Sequence, residues 1–301
     1  MLRSNKASIW KEIRQNKASY FFLLPFAVIF ILFTLTPVLI SIFFSFTSFN
    51  MLEMPKWIGW NNYRSLFLKD SVFVISFKNT FILAAITGPA SYLLCLFFAW
   101  AITDLYPKIR SFVTLLFYAP SLASVYVIWK IVFSGDSLGI LNAYLMRMNI
   151  LASPLDWLND PNYMMGSVIF VVLWASLSTS FLSFIAGFQN VDRTLYEAAA
   201  VDGIRNRWQE LWFITLPSMK PQLMFGAVMS ITASFGIGRQ ITDLVGFPST
   251  NYAVHTMMNH LDDYGTIRFQ MGYACAIATI LFVIMIGANK AVQKLLGRVG
   301  M

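Results

Sequence analysis

Charged residues fall in clusters along the chain, and between them stand six long uncharged runs, 20–52, 79–103, 111–129, 161–191, 221–238 and 269–289. A helix gains about 1.5 Å per residue, so crossing the hydrocarbon of a bilayer takes roughly 20 apolar residues. The runs predict spans near 20–46, 79–102, 112–131, 164–188, 222–241 and 271–289. Lipid offers the backbone no hydrogen-bond partner, so each span is expected to be helical. The fifth is the least regular, because Gly226, Gly236 and Gly238 interrupt it and Arg239 sits at its end. The expected fold class is an all-α polytopic membrane protein with six transmembrane helices in one domain, 20–289, flanked by segments 1–19 and 290–301.

Composition agrees with the pattern. Of 301 residues, 57% are hydrophobic and 12% charged, about half the charged share of a soluble domain. A soluble fold of this length could not hide so much apolar surface. Disordered, collagen-like and disulfide-rich classes lack their signatures here. The run Tyr20–Phe46 follows a basic start but is too long for a secretory signal, and no small-x-small cleavage site follows it, so it is expected to remain as the first span. The lead-in 3–17 reads as a solvated charge run or a membrane-surface helix.

Charge adds orientation. With six spans, both termini and the loops 103–111 and 189–221 share a side that carries 14 basic and 6 acidic residues, net +8, against 8 and 8 on the other. Basic residues mark the cytoplasmic side. The expected location is an inner or plasma membrane, multi-pass, with both termini in the cytoplasm. No basic stripe alternates with aromatics as a nucleic-acid face requires, so no nucleic-acid partner is expected.

Catalytic chemistry is missing. The sequence has no G-x-x-x-x-G-K-[ST], H-E-x-x-H or G-x-S-x-G. Cys95 and Cys275 lie inside spans as small packing residues. His255 and His260 are five apart and do not share a helical face as an i, i+4 metal pair would, so no metal site is expected. Neither a catalytic residue nor a cofactor of the chain's own is predicted. Span centres carry no charge; Lys130 and Arg239 stand near outer ends, within snorkelling reach. An ion-coupled secondary transporter, the main alternative, would want intramembrane charge and paired broken repeats. A membrane-embedded enzyme would want clustered His, Asp or Glu.

The inner loop 189–221 is long for a connector and has its own pattern. Asp192 is a plausible N-cap for a helix through Ala200, and Gly203 can end it with positive φ. A second helix is expected from about Arg205 to Thr215, with Trp208, Leu211, Trp212 and Thr215 on one face. Pro217 stops it and Pro221 opens the next span. The residues alone allow either an amphipathic connector on the bilayer or a docking element for a cytoplasmic protein.

Within that loop, Glu197-Ala198-Ala199, then Asp202-Gly203, then Ile214-Thr215-Leu216-Pro217 closely resemble the EAA loop of ABC importer membrane subunits, most of all the maltose-permease-like carbohydrate importers. Shorter similar pieces occur in family order: Asn79-Thr80, Pro120 and Trp129, and Gly139-Ile140-Leu141-Asn142. The resemblance covers most of the chain. It departs from the commonest family pattern by one extra residue between Gly203 and Pro217, and by Ile204 where a small residue is usual; the turn near Arg205–Arg207 is the expected place to absorb the extra residue.

The resemblance implies a type I ABC importer permease fold and an ATP-driven, binding-protein-dependent import function, with a sugar or oligosaccharide as substrate; a non-sugar solute is the alternative. It implies a second homologous permease, a cytoplasmic ATPase dimer that binds ATP and Mg, an extracytoplasmic solute-binding protein, and surrounding lipid. It assigns ATPase coupling to Glu197, Ala198, Ala199, Asp202, Gly203, Leu216 and Pro217. For the substrate path the residues offer Asn79, Tyr118, Tyr126, Trp129, Trp174 and Ser183, as aromatic platforms and polar groups suited to sugar rings.

Overall fold

The computed structural model describes residues 16–122 and 126–296; most of the segment 1–19 and the end of the tail 290–301 lie outside the described residues. Helix α1 runs over Lys17–Phe44, with a π turn at Ile31–Leu35 just ahead of Pro37. A two-stranded ribbon follows, β1 (Thr47–Ser48) antiparallel to β2 (Lys56–Trp57). Next come α2 (Asn61–Leu68), α3 (Ser71–Thr103), α4 (Pro107–Leu122) and α5 (Tyr126–Val132). The outer segment contributes α6 (Ile140–Arg147), and α7 (Pro161–Trp174) and α8 (Thr179–Asn190) lead to the inner loop. That loop holds α9 (Arg193–Val201) and α10, whose pieces are Arg207–Glu210, a π turn at Leu211–Thr215 and Leu216–Ser218. The chain ends with α11 (Lys220–Phe235), α12 (Gly238–Val245), α13 (Met257–Asp262) and α14 (Met271–Leu296).

Among the described residues, four helices are long and apolar enough to cross a membrane, α1, α3, the α7–α8 pair and α14. A fifth is counted if α4 and α5, bent 81° from each other, form one span. Span five differs from expectation. Residues 222–241 do not form one helix: α11 ends at Gly236, and its 16 residues reach about 24 Å, short of a ~30 Å hydrocarbon core. Span four, expected as continuous over 164–188, is interrupted between Trp174 and Thr179. The helix that contains the second expected span begins at Ser71, where Asp70 caps it by accepting a bond from the Phe73 amide at 2.9 Å.

Helix α3 is the central post. Leu83 joins one buried cluster with Met164, Val168, Ile237 and Ile241. Cys95, Ala99 and Ile102 join a second with Phe181, Phe184 and Leu211. Phe73 and Ala84 join a third with Met257, Ala276 and Ile277. Small residues set how closely the helices approach. A Cβ on Gly226 would strike the Phe184 ring, and one on Gly272 would strike the Thr47 carbonyl. Helix α1 is different: residues 17–36 are largely exposed, and its later part packs against α14.

The outer ends are tied by polar contacts. Asn62 donates to the Ser45 and Thr47 carbonyls at 2.8 and 2.9 Å, and the Gly272 amide donates to Phe49 O at 3.0 Å. Asn142 is buried and joins Ser134, Asp136, Leu155 and the Trp157 indole. Asp70 Oδ2 accepts from the Tyr273 hydroxyl at 3.0 Å and lies 3.0 Å from His260 Nε2. Burial opposes ionisation of Asp70, but the bonds from His260, the Phe73 amide and Tyr273 outweigh it and bring its pKa down to about 2. His255, five residues from His260 in sequence, comes within 5.6 Å of it ring to ring. Burial foremost, then the neighbouring His260, lowers the His255 pKa to about 4, so it is neutral at physiological pH. Among the described residues, no group of three or more His, Cys, Asp or Glu is placed to hold a metal ion.

Candidate functional site

Two places carry features that packing alone does not explain. The first is the inner loop. The Asp192 side chain accepts from the Thr194 amide at 2.9 Å and caps α9. The helix ends at Gly203, whose φ of +93° is one that side-chain-bearing residues rarely adopt. Asn206 caps α10 by accepting from the Gln209 amide at 2.8 Å. The two helices are pinned by Tyr196, whose hydroxyl lies 2.8 Å from Thr215 Oγ1.

Within α9, Ala199 is buried while Glu197, Ala198, Ala200, Val201 and Asp202 are exposed. The residues to which the resemblance assigns coupling therefore divide. Glu197, Ala198, Asp202, Gly203 and Pro217 are exposed, Leu216 is half-buried, and Ala199 faces inward. Val201 is 89% exposed.

The face expected on α10 is not the one that packs. Leu211, Ile214 and Thr215 are buried, while Trp208 and Trp212 remain 58% and 62% exposed. The π turn at Leu211–Thr215 holds an additional residue and changes the angular spacing of Trp212 and Thr215, whereas Trp208, ahead of that turn, lies against Trp100 with ring centres 4.6 Å apart. A π turn is also a general means of accommodating one extra residue in a helix, whereas the expected place for it was the turn near Arg205–Arg207.

The second place is a cavity of about 180 Å³ lined by Thr87 and Ser91 of α3, Ser121, Tyr126, residues around the α7–α8 break, Ser180, Ser230, Ser234 and Gln240. Its lining comes from where helices stop. Ala175, Ser176 and Ser178 belong to the α7–α8 break, and Ile237 lies in the α11–α12 break. Ser121 and Tyr126 flank the junction of α4 and α5. Broken backbone at membrane depth is tolerated where protein buries it or where it lines a polar cavity. Ser180 Oγ takes part of this load, donating to the Gly226 carbonyl at 3.0 Å and lying 3.1 Å from Ser230 Oγ. The Gln240 Oε1 acceptor is buried without a partner among the described residues.

Of the six path candidates, Tyr126 lines this cavity. Asn79 is buried in a tie, donating to the Tyr252 and His255 carbonyls at 3.0 Å each. Trp129 lines a separate apolar groove and contacts Trp174, ring centres 5.2 Å apart. Tyr118 and Ser183 are half-buried and outside the cavity lining. The serine and threonine hydroxyls that line it were not among the path residues named from the sequence. Their signal was Ser176, Ser178, Thr179 and Ser180 interrupting one apolar run and Ser230, Ser234 and Gly236 interrupting another.

Known proteins resemble the chain over nearly its whole length. Residues 91–296 match the family described as Binding-protein-dependent transport system inner membrane component. A probable ABC transporter permease protein, YesP of Bacillus subtilis (strain 168), is 33% identical over 295 residues, covering 94% of this chain and 93% of that one. The arabinooligosaccharides transport system permease protein AraP of the same organism is 27% identical over 301 residues, 97% of this chain and 93% of its own. In fold, the chain is similar to one in a crystal structure of a bacterial ABC transporter involved in the import of the acidic polysaccharide alginate. The TM-score is 0.77 and the identity 22%, covering 97% of this chain and 99% of the other.

Proposed function

The chain belongs to the family of binding-protein-dependent transport system inner membrane components, and we propose that its inner loop is where an ATPase drives it and its hydroxyl-lined cavity is where solute passes. It is a membrane transport subunit of an ABC importer and not a catalytic enzyme. The substrate class best supported is a sugar or oligosaccharide, on the strength of relatives such as the arabinooligosaccharide permease. ATP and Mg belong to a separate cytoplasmic ATPase dimer. A second homologous permease completes the path, and an extracytoplasmic binding protein delivers the solute.

In this reading the chain crosses the membrane six times. The α4–α5 pair supplies the third crossing, and α11 with α12 the fifth. Both termini are cytoplasmic, which the one-sided net charge of +8 supports. The observation that carries the path is that the α7–α8 and α11–α12 breaks meet at one polar cavity beside Ser121 and Tyr126, since discontinuous helices place free backbone groups and polar side chains where a solute can use them. At about 180 Å³ the cavity is smaller than the ~300–1,000 Å³ of an open ligand pocket, so the path is closed at this depth. Movement of α9 with the ATPase passes through the Tyr196–Thr215 contact and α10 into α11, which bears Ser230 and Ser234.

The test separates docking from folding. Glu197→Lys and Gly203→Asp are expected to leave the subunit inserted and paired with its partner permease. The ATPase should be lost, or its hydrolysis should run without solute uptake. ATPase retention and uptake are measured in membranes with matched subunit levels. Wild-type values for both quantities in both variants would remove the coupling assignment.

A further inference from the structure

A second, larger cavity lies beside the inner loop, about 620 Å³, and neither the solute path nor the exposed face of α9 uses it. It is bounded by the end of α3, the start of α4, the end of α8 and both inner-loop helices. Three guanidinium side chains line it, Arg110, Arg193 and Arg207, with two carboxylates, Asp104 and Glu210. Arg207 is already committed: it pairs with Asp104, and its guanidinium lies 5.0 Å from the Trp100 ring centre. Arg110 donates one bond, to the Thr103 carbonyl at 3.1 Å. Arg193 makes no ion pair or side-chain hydrogen bond among the described residues. Setting aside the Arg207–Asp104 pair leaves Arg110 and Arg193 against Glu210, an excess of one positive charge.

The surroundings place this cavity at the edge of hydrocarbon. It opens where the apolar helix α3 ends, and Trp208, Trp212 and Phe213 of α10 are exposed at 58, 62 and 71% on the neighbouring segment. Exposed Trp and Phe next to arginines suit the headgroup level of a bilayer, where rings meet acyl chains and guanidiniums meet phosphate. An anion with a single negative charge matches the excess of one; a nucleotide, with several, does not. Arginine's planar fork is suited to phosphate oxygens.

We propose that this cavity binds the phosphodiester headgroup of an anionic membrane phospholipid, held by Arg110 and Arg193, with its acyl chains against the exposed aromatics of α10. The bound lipid then braces the contact between the coupling helix and the membrane-spanning helices. The proposal rests on the reading of 189–221 as an inner loop. It does not depend on the ATPase, because lipid retention is measured on the permease complex with and without that subunit.

The experiment uses the full chain with its partner permease, reconstituted in phosphatidylcholine nanodiscs with graded phosphatidylglycerol. Native mass spectrometry after detergent exchange reads retained lipid. Wild-type complex is expected to keep phosphatidylglycerol, and Arg193→Gln and Arg110→Gln to weaken retention by roughly fivefold each. Lys108→Gln, which removes an exposed charge outside the cavity lining, should retain lipid as wild type does. Arg193 is exposed and unpaired, so Arg193→Gln leaves folding intact and keeps the test decisive if Arg110→Gln does not assemble. Equal retention in Arg193→Gln and wild type would overturn the proposal. So would saturation of the site by soluble glycerol phosphate in pure phosphatidylcholine, which would make it a free-anion site. Displacement of the lipid by bound ATPase would assign the cavity to the subunit interface and overturn it as well.

Discussion

The outer end of the protein and its inner loop are built on opposite principles. Around Asp70, His260, Tyr273, Asn79 and Asn62, polar side chains are buried, and most of their polar atoms are bonded across elements far apart in sequence. Around α9, Glu197, Ala198, Ala200 and Asp202 face outward while Ala199 is buried, and Tyr196 links the helix to α10. Buried polar groups are costly unless paired, and this end pairs most of its own within one chain, with His255 Nε2 and His260 Nδ1 left without a partner among the described residues. The inner loop leaves Val201 and its neighbours bare, as a surface does when its partner is another chain. The contrast teaches where this subunit is complete and where it is not.

The sharpest way to break the comparison is to ask which end faces the cytoplasm. Leu52 in the outer ribbon and Val201 in α9 are 90% and 89% exposed. In intact cells a membrane-impermeant thiol reagent should label Leu52→Cys and not Val201→Cys, with both labelled after permeabilisation. The reverse pattern would invert the topology.

Next in size is the packing of the outer end. Gly272→Leu sets a side chain against the Thr47 carbonyl, where backbone would have to move, and should abolish assembly. Gly226→Leu meets the Phe184 ring, which can rotate, so a smaller loss is expected, of the order of the ~1–3 kcal/mol of overpacking. Phe282→Leu, on the half-exposed side of α14, should assemble normally. Yields after detergent extraction rank the three, and equal yields would deny that these glycines are contact points.

Asp70→Asn tests the outer network electrostatically. The carboxylate is 12% exposed, and loss of its charge-assisted bonds should cost about 1.5–3 kcal/mol in thermal unfolding. Its pKa is lowered from 3.8 to about 2 in the folded chain, so the stability it adds is present above pH 4 and lost as pH falls toward 2. The variant should lack that acid-dependent step.

The smallest effect on stability belongs to α9. Glu197→Ala should leave the melting temperature of the permease pair unchanged, because Glu197 is exposed and makes no ion pair among the described residues. Gly203→Ala should lower it slightly, by the ~1–2 kcal/mol that a left-handed φ costs a side-chain-bearing residue. A large destabilisation from Glu197→Ala would mean that α9 is structural rather than a docking surface.

What the sequence by itself determined is whatever is local or cumulative. Four of the six uncharged runs give helices long enough to span, because hydrocarbon imposes one rule on every backbone group. Asp192 before a run of helix formers, and Gly203 after it, define α9 through bonds and dihedrals that reach a few residues at most. The family resemblance was legible for the same reason, since its residues stand close together in one loop. Tertiary structure decided what depends on distant partners. Asn79 reads as a path residue until the carbonyls of Tyr252 and His255 claim both of its donor bonds. Trp212 reads as part of a packing face until the π turn swings it outward. The serines near 178 and 230 are unremarkable polar interruptions in separate apolar runs, and they become one cavity once α8 and α11 pack side by side. Periodicity reports the environment along one helix, whereas a site made where helices break is defined by which breaks meet.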